Sequence, residues 1–459
     1  MSGGARRLFG TDGIRGVAGE FPLDNDTVLL IGRVLGRRLA AGDLHPRVVL
    51  GQDTRASSAR LADTLARGMA EPGVEVESAG IVSTPAVAYL ARQRSYRAGI
   101  VISASHNPWT DNGIKVFGHD GYKLPDQVEL EIEGEIFSRL AEPQRADAEP
   151  ASPLKVRASL PGDPALKQAY EDWLCGRVDL GGARRLKVVV DCANGAASAL
   201  APEVLARSGL PVQAINVSPD GQNINDHCGA LHPEVVAKAA KERRADLGIS
   251  FDGDADRALF ADHEGKVVNG DAVLLLAARA MQSRGALRND TVVATTMSNM
   301  GLEAALGRSG IRMLRAPVGD KYVLEEMRKS GAVLGGEQSG HILFLDQATT
   351  GDGLLTALRV LEIVGQSGKP LAELVADLKV FPQTIQNVRV REKRPLEEVE
   401  AVRRAIEEAE RQLGSKGRVV VRYSGTEPLA RVMVEAGSEA AMRAHAHAIA
   451  EAIRNALGA

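Results

Sequence analysis

Short apolar runs alternate with longer amphipathic stretches along most of the chain. Apolar runs of roughly four to eight residues bounded by turn residues are typical of buried strands, and apolar residues spaced three or four apart are typical of helices. The strands predicted in this way are 47–51, 74–78, 98–102, 113–117, 186–191, 212–216, 247–251, 291–296 and 311–316. Helices are predicted between most of these strands, which favours α/β units with parallel or mixed sheets.

The pattern changes towards the end of the chain. A strand at 384–390, a helix at 396–413, strands at 418–422 and 430–435 and a helix at 439–457 predict a smaller α+β unit. Residues 141–153 are rich in Ala, Glu and Pro without an apolar period, which indicates a domain boundary. We therefore expect three consecutive α/β domains with mixed sheets and a smaller C-terminal α+β domain, with the ranges 1–153, 154–257, 258–370 and 371–459.

Composition excludes several classes of protein. Hydrophobic residues make up 44% and charged residues 25% of the chain, a balance typical of soluble globular proteins. The net charge of −3 gives no overall basic surface for nucleic acid or membranes. The three cysteines fit neither a metal clip nor a disulfide framework, and no apolar run reaches membrane-spanning length. We expect a cytoplasmic protein with no nucleic-acid or membrane partner.

A reactive hydroxyl is predicted at the end of the apolar run 98–102. The run is followed by Ser103-Ala104-Ser105-His106-Asn107-Pro108, so Ser105 lies on a loop at a strand end, with Lys115 further along. Loops that leave a rigid sheet commonly carry catalytic groups. One hypothesis is that Ser105 carries a phosphoryl group to and from a sugar, and the alternative is that these polar residues only form a turn.

Three aspartates follow the predicted strand 247–251. Asp252, Asp254 and Asp256 alternate with small residues, and carboxylates this close repel one another unless a cation neutralises them. Their hard oxygen atoms suit Mg²⁺. An EF-hand is excluded because Arg257 stands where that loop needs Gly and His263 where it needs Glu. The alternative is a solvated acidic turn.

Three further loops combine glycine with polar side chains that could bind a phosphosugar. Arg15 lies among three glycines and could reach a phosphate as a fork of donors. The loop 336–341 suits a polyhydroxyl ligand, and the loop 422–426 has the parts of a phosphate cradle, although each could also be a simple turn. The chain contains neither a Walker loop nor the G-x-S-x-G elbow of serine hydrolases. These loops together favour phosphoryl transfer within one cleft between the domains.

The ordered motifs FGTDGIRG, SASHNP, DNGIK, DGDADR, GEQSGH and RYSGTEP make the chain closely resemble the α-D-phosphohexomutases over nearly its full length. The resemblance implies four domains around one central cleft and a phosphoserine at Ser105. It implies that one Mg²⁺ is bound by Ser105, Asp252, Asp254 and Asp256. It implies that the sugar is read by Glu337, Ser339 and His341, and that the phosphate not reacting is bound by Arg422, Ser424, Gly425 and Thr426.

The same resemblance implies roles for the remaining charged groups. Lys115 matches a proposed general acid or base, with His341 as a second such group. Arg15 and Arg257 are expected near the transferring phosphoryl group. Lys321 replaces an Arg in a phosphate-binding segment and would lose bidentate geometry. Ala255 replaces a common Gly between the second and third aspartates.

The activity that the resemblance implies is a reversible mutase reaction on a small-molecule phosphosugar. GEQSGH resembles the amino-sugar branch, so the expected reaction converts glucosamine 6-phosphate to glucosamine 1-phosphate through a 1,6-bisphosphate that also primes Ser105. Such a reaction would feed UDP-N-acetylglucosamine and cell-wall precursor synthesis. The alternatives are a mutase for glucose and mannose phosphates or a non-catalytic phosphosugar-binding protein. A homodimer is compatible with the resemblance.

Overall fold

A computed structural model describes residues 8–10, 12–141, 160–424 and 428–459 and contains four sheets flanked by helices. The first sheet contains β1 (Phe9–Gly10), β2 (Gly13–Val17), β3 (Arg47–Gln52), β4 (Glu75–Ile81), β5 (Ala98–Ile102) and β6 (Asp111–Gly118). The second contains β7 (Val188–Asp191), β8 (Val212–Ile215), β9 (Leu247–Phe251), β10 (Ala258–Asp262) and β11 (Val267–Val268). The third contains β12 (Thr291–Thr295), β13 (Arg312–Ala316), β14 (Leu334–Gly336) and β15 (Ile342–Phe344), and the fourth β16 (Gln383–Arg389), β17 (Gly417–Tyr423) and β18 (Leu429–Ala436).

Several helices begin at side chains that cap them. Asp24, Ser83 and Asp352, for example, each accept a hydrogen bond from a backbone N–H in the first turn of the helix that follows. No helix in the described ranges is long and apolar enough to cross a membrane. The α-helices are α1 (Asn25–Ala40), α2 (Ser58–Ala70), α3 (Thr84–Gln93), α4 (Asp126–Ala141), α5 (Pro164–Cys175), α6 (Ala201–Arg207), α7 (Pro233–Glu242), α8 (Gly270–Ser283), α9 (Met300–Arg308), α10 (Asp320–Ser330), α11 (Gly353–Ser367), α12 (Leu371–Leu374), α13 (Glu400–Leu413) and α14 (Glu439–Leu457).

The first three sheets share one plan that places their functional loops. In each sheet a central parallel strand is followed in sequence by an antiparallel neighbour: β5 by β6, β9 by β10 and β14 by β15. The loop between the two strands leaves the sheet at an equivalent position each time. These three loops carry Ser105, the three aspartates and the segment 337–341. The fold therefore presents one functional loop from each of three similar units.

The first three units share an apolar core in addition to smaller clusters of their own, whereas the core of the fourth unit is separate. The shared core includes Val49 of the first sheet, Val190 of the second and Leu274 of α8. The core of the fourth unit includes Val432 of β18 and Ile449 of α14. Burying a large aliphatic side chain contributes about 1.5–3 kcal/mol, so the shared core holds the three functional loops in fixed relative positions.

The expected fold class of three α/β units and a smaller α+β unit is confirmed, but the sheets correct several details. The strands β10 and β11 pair with β9, so the expected boundary at residue 257 falls inside the second sheet. The short segment 258–262 is entirely buried and extends that sheet as an antiparallel strand. The boundary at 370 also falls too early, since Leu371 packs in the shared core and Asp377 pairs with Arg279 of α8 at 2.6 Å.

The glycine-rich opening around Arg15 forms the hairpin of β1 and β2. One local prediction, the helix at 396–413, differs from the structure. The helix expected at 396–413 is interrupted, because Val399 has an extended backbone between a 3₁₀ turn (Leu396–Glu398) and α13. Most of the boundary region expected at 141–153 lies outside the described residues.

Candidate active site

Ser105 is held on a constrained loop directly after β5. Its backbone has a φ of 52°, in the left-handed region that non-glycine residues seldom adopt. Its N–H donates to Ser103 Oγ at 2.9 Å, and its carbonyl accepts from Arg55 Nη2 and Asn225 Nδ2, both at 2.9 Å. Its own hydroxyl donates to Asp252 Oδ2 at 2.7 Å. The hydroxyl is therefore fixed against the first aspartate of the acidic loop.

Arg55 supports the loop that carries Ser105, a role that sequence reasoning missed. Its guanidinium is fully buried, pairs with Asp53 at 2.8 Å and donates to the carbonyls of Asn107 at 2.8 Å and Asp111 at 3.0 Å. A buried guanidinium needs acceptors for its donors, and here loop carbonyls supply them. The only signal in the sequence was the pair of opposite charges directly after β3.

Asp252, Asp254 and Asp256 form a compact buried cluster, each offering a carboxylate oxygen within 4.8 Å of the other two. Burial, together with the charges of Asp256 and Asp254, raises the pKa of Asp252 well above its usual range. Among the described residues, Oδ1 of Asp254 and Oδ1 of Asp256 have no hydrogen-bond partner. Buried carboxylate oxygens without donors are costly, and hard oxygen ligands suit a divalent cation such as Mg²⁺. The cluster is therefore compatible with a metal site.

Side chains of the first unit contact this acidic cluster directly. Lys115 Nζ lies 2.8 Å from Asp254, 2.9 Å from Asp12 and 3.7 Å from Asp256. Burial lowers the pKa of Lys115, but the surrounding carboxylates outweigh this effect and raise it, so the side chain is an ammonium. Thr84 Oγ1 donates to Asp254 Oδ2 at 2.5 Å, a contact that the sequence did not suggest.

Two arginines present donors to the same space. The guanidinium of Arg15 contacts Asp12 at 2.5 Å and Asn107 Oδ1 at 3.2 Å. The backbone N–H of Arg257 donates to Asp252 Oδ1 at 3.2 Å. The Nε atoms of both arginines are buried without a hydrogen bond in the described part of the chain, and that of Arg257 lies 3.8 Å from Asp256 Oδ1. Guanidinium groups with unused donors beside a reactive hydroxyl suit a phosphoryl group.

His106 is a neutral neighbour of the hydroxyl. Burial and the charges of Arg257 and Arg15 lower the pKa of His106 to about 4. Its Nδ1 lies 3.4 Å from Ser105 Oγ. No catalytic role follows from this contact.

The loop of the third unit reaches the acidic cluster through His341. Its buried ring lies between Asp256, 3.6 Å from Nδ1, and Asp320, 3.7 Å from Nε2. Burial lowers the pKa of His341, but these carboxylates outweigh it and raise the pKa to about 9. Glu337 Oε1 accepts from the N–H of Gly319 at 3.1 Å. In the same loop, Ser339 Oγ is buried and has no hydrogen-bond partner among the described residues.

The remaining predicted site residues lie apart from this cluster. Lys321, at the start of α10, pairs with Asp126 of α4. Arg422 lies on β17 opposite Arg431 of β18, and burial together with the charge of Arg431 lowers the pKa of Arg422. Ser424 follows at the end of β17 and is buried, while Gly425 and Thr426 lie outside the described residues. Arg422 and Ser424 thus belong to a separate basic group on the fourth unit.

Comparison with known proteins agrees with this division into four units. Four profiles of the phosphoglucomutase/phosphomannomutase family match the chain in order. The alpha/beta/alpha domain I matches residues 6–142, domain II residues 169–265, domain III residues 269–381 and the C-terminal domain residues 386–452.

Relatives match along the whole chain. A phosphoglucosamine mutase of Koribacter versatilis is 62% identical over 99% of this chain and 98% of its own length, and one of Solibacter usitatus is 52% identical over 99% and 100%. Among solved structures, a phosphoglucomutase/phosphomannomutase family protein of Burkholderia thailandensis aligns with a TM-score of 0.78 at 26% identity, covering 97% of both chains.

Proposed function

The chain belongs to the phosphoglucomutase/phosphomannomutase family, and on this premise we propose that it interconverts glucosamine 6-phosphate and glucosamine 1-phosphate as a phosphoglucosamine mutase. It is a phosphosugar mutase, an isomerase whose substrates are sugar phosphates. One observation supports the chemistry most directly: the Ser105 hydroxyl donates to a buried cluster of three carboxylates, with two arginines beside it.

In the proposed reaction Ser105 carries the phosphoryl group. The free hydroxyl oxygen of the sugar phosphate attacks the phosphorus of phospho-Ser105, the bond from phosphorus to Oγ breaks, and a 1,6-bisphosphate results. After the bisphosphate has turned, Ser105 Oγ attacks the other phosphate and releases the isomeric monophosphate. The same bisphosphate would prime an enzyme whose Ser105 is not phosphorylated. Arg15 and Arg257 would stabilise negative charge on the transferring group.

Proton transfer is assigned to Lys115, with His341 as a second group. In each phosphoryl transfer the attacking hydroxyl loses a proton and the oxygen of the leaving group gains one. A group that donates the proton in the forward reaction therefore acts as the base in the reverse reaction. Lys115 is buried against the cluster as an ammonium, which suits the donor role. His341 lies on the opposite side of Asp256 and offers a second titratable group.

Asp252, Asp254 and Asp256, with the phosphorylated Ser105, would hold one Mg²⁺. When bound, Mg²⁺ supplies positive charge against the transferring phosphoryl group. The donor set supports this assignment, because the carboxylate oxygens are hard ligands and two of them have no hydrogen-bond partner in the described ranges.

Substrate binding is divided between two loops in this proposal. Glu337 and Ser339 would recognise the sugar by hydrogen bonds. The carboxylate of Glu337 also suits a protonated 2-amino group. Arg422, Ser424, Gly425 and Thr426 would bind the phosphate that is not reacting. Lys321 is assigned to phosphate binding as well, although it is paired with Asp126 in this structure and would have to leave that partner.

The second candidate is a mutase for glucose or mannose phosphates, which the name of the Burkholderia thailandensis structure favours. The amino-sugar assignment is preferred because the relatives of 62% and 52% identity are called phosphoglucosamine mutases. A cytoplasmic location and a homodimer complete the proposal. Three cysteines that form no disulfide support the location.

The decisive experiment compares mutase turnover of glucosamine, glucose and mannose phosphates with Mg²⁺ and after its removal by EDTA. We expect turnover to be fastest on glucosamine phosphates, to require Mg²⁺ and to disappear in Ser105→Ala. Intact-mass analysis should find a phosphoryl adduct that maps to Ser105. The control Ser208→Ala removes a serine hydroxyl that, within the described ranges, donates to the carbonyl of Val204 in α6. Faster turnover of glucose phosphates would favour the second candidate, and an active Ser105→Ala would refute the phosphoserine mechanism.

A further inference from the structure

Five charged side chains and the imidazole of His341 form a closed ring around the candidate site, in which three carboxylates alternate with two lysines and the imidazole. Lys123 contacts Asp12 and Asp320, both at 2.5 Å, Asp320 faces His341, His341 faces Asp256, and Lys115 closes the ring between Asp256 and Asp12. We call this set the charge ring. It joins all three α/β units, with members Asp12, Lys115 and Lys123 of the first unit, Asp256 of the second, and Asp320 and His341 of the third.

Lys123 is the ring member that links the first and third units. Both carboxylates that it contacts lie at 2.5 Å from one nitrogen, so their oxygens are within about 5 Å of each other. Without a cation between them, two carboxylates at this distance would repel. The charges of Asp12 and Asp320 outweigh burial and raise the pKa of Lys123, so it is an ammonium.

The turn that carries Lys123 is anchored to the third unit by a second, independent contact. Thr349 Oγ1 donates to the carbonyl of Gly121 at 2.6 Å. Gly121 has a φ of 77°, and a Cβ at this position would lie 2.9 Å from Thr349 Oγ1. The turn therefore approaches the third unit as closely as a glycine allows, and it places Lys123 at the junction.

We infer that Lys123 is a positioning residue of the mutase reaction, which holds Asp12 and Asp320 together and so fixes the first and third units in their working arrangement. Through Asp12 it positions Lys115, and through Asp320 it positions His341. The inference rests on the proposed function, in which these two side chains handle protons. Lys123 itself contacts carboxylates on both sides and is not assigned to the substrate.

The test compares variants at position 123 in the full-length enzyme with Mg²⁺. Lys123→Met keeps the length of the side chain and removes its charge, and we expect kcat to fall at least tenfold with a smaller change in KM. Lys123→Arg keeps the charge and should retain kcat within about threefold. Lys123→Met/Asp320→Asn removes one of the two repelling carboxylates and should recover at least threefold of the lost kcat.

A matched control separates this role from general stabilisation. The side chain of Lys167 is about as exposed as that of Lys123, and it also pairs with a buried carboxylate, that of Glu171. Lys167 lies on α5, away from the charge ring. Lys167→Met should leave kcat unchanged. Melting temperatures and the rise in melting temperature on adding Mg²⁺ show whether each variant is folded and keeps the acidic cluster intact.

Three results would overturn the inference: a kcat of Lys123→Met within threefold of wild type, equal losses in Lys123→Arg and Lys123→Met, or no recovery in the double variant. If Lys123→Met does not fold, the single variant Asp320→Asn tests the inference, because it breaks the same link between the first and third units. This variant should lower kcat several-fold. An unchanged kcat in Asp320→Asn would also overturn the inference. Failure of the proposed function is distinguishable, because the wild-type enzyme would then show no mutase turnover.

Discussion

At the scale of single residues, the site depends on how closely two loops approach each other. Gly253 lies between the first two aspartates, and a Cβ there would lie only 2.5 Å from the carbonyl oxygen of Ser105. The carbonyl is already held by Arg55 and Asn225, so it cannot move without losing those bonds. The absence of a side chain at Gly253 therefore brings the hydroxyl of Ser105 into hydrogen-bond distance of Asp252.

We predict that Gly253→Ala reduces mutase turnover at least a hundredfold. The added methyl group would push the two loops apart and lengthen the 2.7 Å bond from Ser105 to Asp252, and misplaced reacting groups lose rate steeply. Turnover and the phosphorylated fraction of Ser105 should be measured together. The control is Gly134→Ala, an exposed site in α4 with open space around it. Turnover of Gly253→Ala within tenfold of wild type would contradict the prediction.

The residues found from sequence and those missed differ in a physical way. Ser105 and the three aspartates stand directly after buried strands, so local pattern alone places them at a sheet edge. Arg55, Thr84 and Lys123 act through partners 50 or more residues away, and no local pattern reports such contacts. The family and fold predictions are confirmed, while the roles of individual residues stay predictions.

At the scale of elements, the sequence pattern failed mainly to predict short buried strands. β14 and β15 have three residues each and flank the loop 337–341. Their apolar runs are too short for a period to be visible, and the glycines of β14 indicate a turn. Both form because they extend an existing sheet, which supplies hydrogen-bond partners that an isolated segment lacks.

A helix cap links stability to pH. Asp352 caps α11 through the N–H of Leu355 and accepts the hydroxyl of Tyr170 at 2.8 Å. Burial is the main cause that raises the pKa of Asp352 from 3.8 to about 6. Because the folded-state pKa is the higher one, ionisation costs more in the folded state. The fold therefore loses stability as the pH rises from about 4 to above 6.

We predict that Asp352→Asn removes this loss. The amide can still accept from Leu355 and can donate to the oxygen of Tyr170, but it cannot ionise. The free energy of unfolding of the variant relative to wild type should rise by on the order of 2 kcal/mol between pH 4 and pH 8. Urea unfolding across this range measures it, with Asp24→Asn, a less buried cap of α1, as the comparison. A difference that does not change with pH would refute the assignment.

At the scale of the whole molecule, three units act as one body and the fourth is attached differently. The first three share an apolar core, whereas Arg418 of β17 joins the fourth unit to the third by donating to the carbonyls of Thr296 at 2.7 Å and Ser298 at 2.6 Å. Polar contacts of this kind are exchanged with water more readily than an apolar core. This suits a unit that must accept either end of the bisphosphate in the proposed reaction.

Arg418 also neutralises Glu435, which is fully buried on β18 and accepts a further bond from Gln383 at 3.0 Å. Arg422 and Ser424 follow Arg418 along β17 and its end, so the position of this strand sets where these two proposed phosphate-binding residues lie. Removing the guanidinium would leave a buried carboxylate without its partner and free two carbonyls of the third unit. Breaking a buried pair in this way costs about 3–5 kcal/mol.

We predict that Arg418→Met raises the KM for glucosamine phosphates at least tenfold while leaving the phosphorylated fraction of Ser105 unchanged, because Ser105 and the aspartates lie on other units. Steady-state kinetics and intact-mass analysis measure the two quantities on the same preparation. Arg443→Met, which breaks an exposed pair with Glu439 on α14, is the control and should change neither. An unchanged KM would show that Arg418 does not orient the fourth unit. Equal losses of binding and phosphorylation would show that the fourth unit is coupled to the other three more tightly than its separate core suggests.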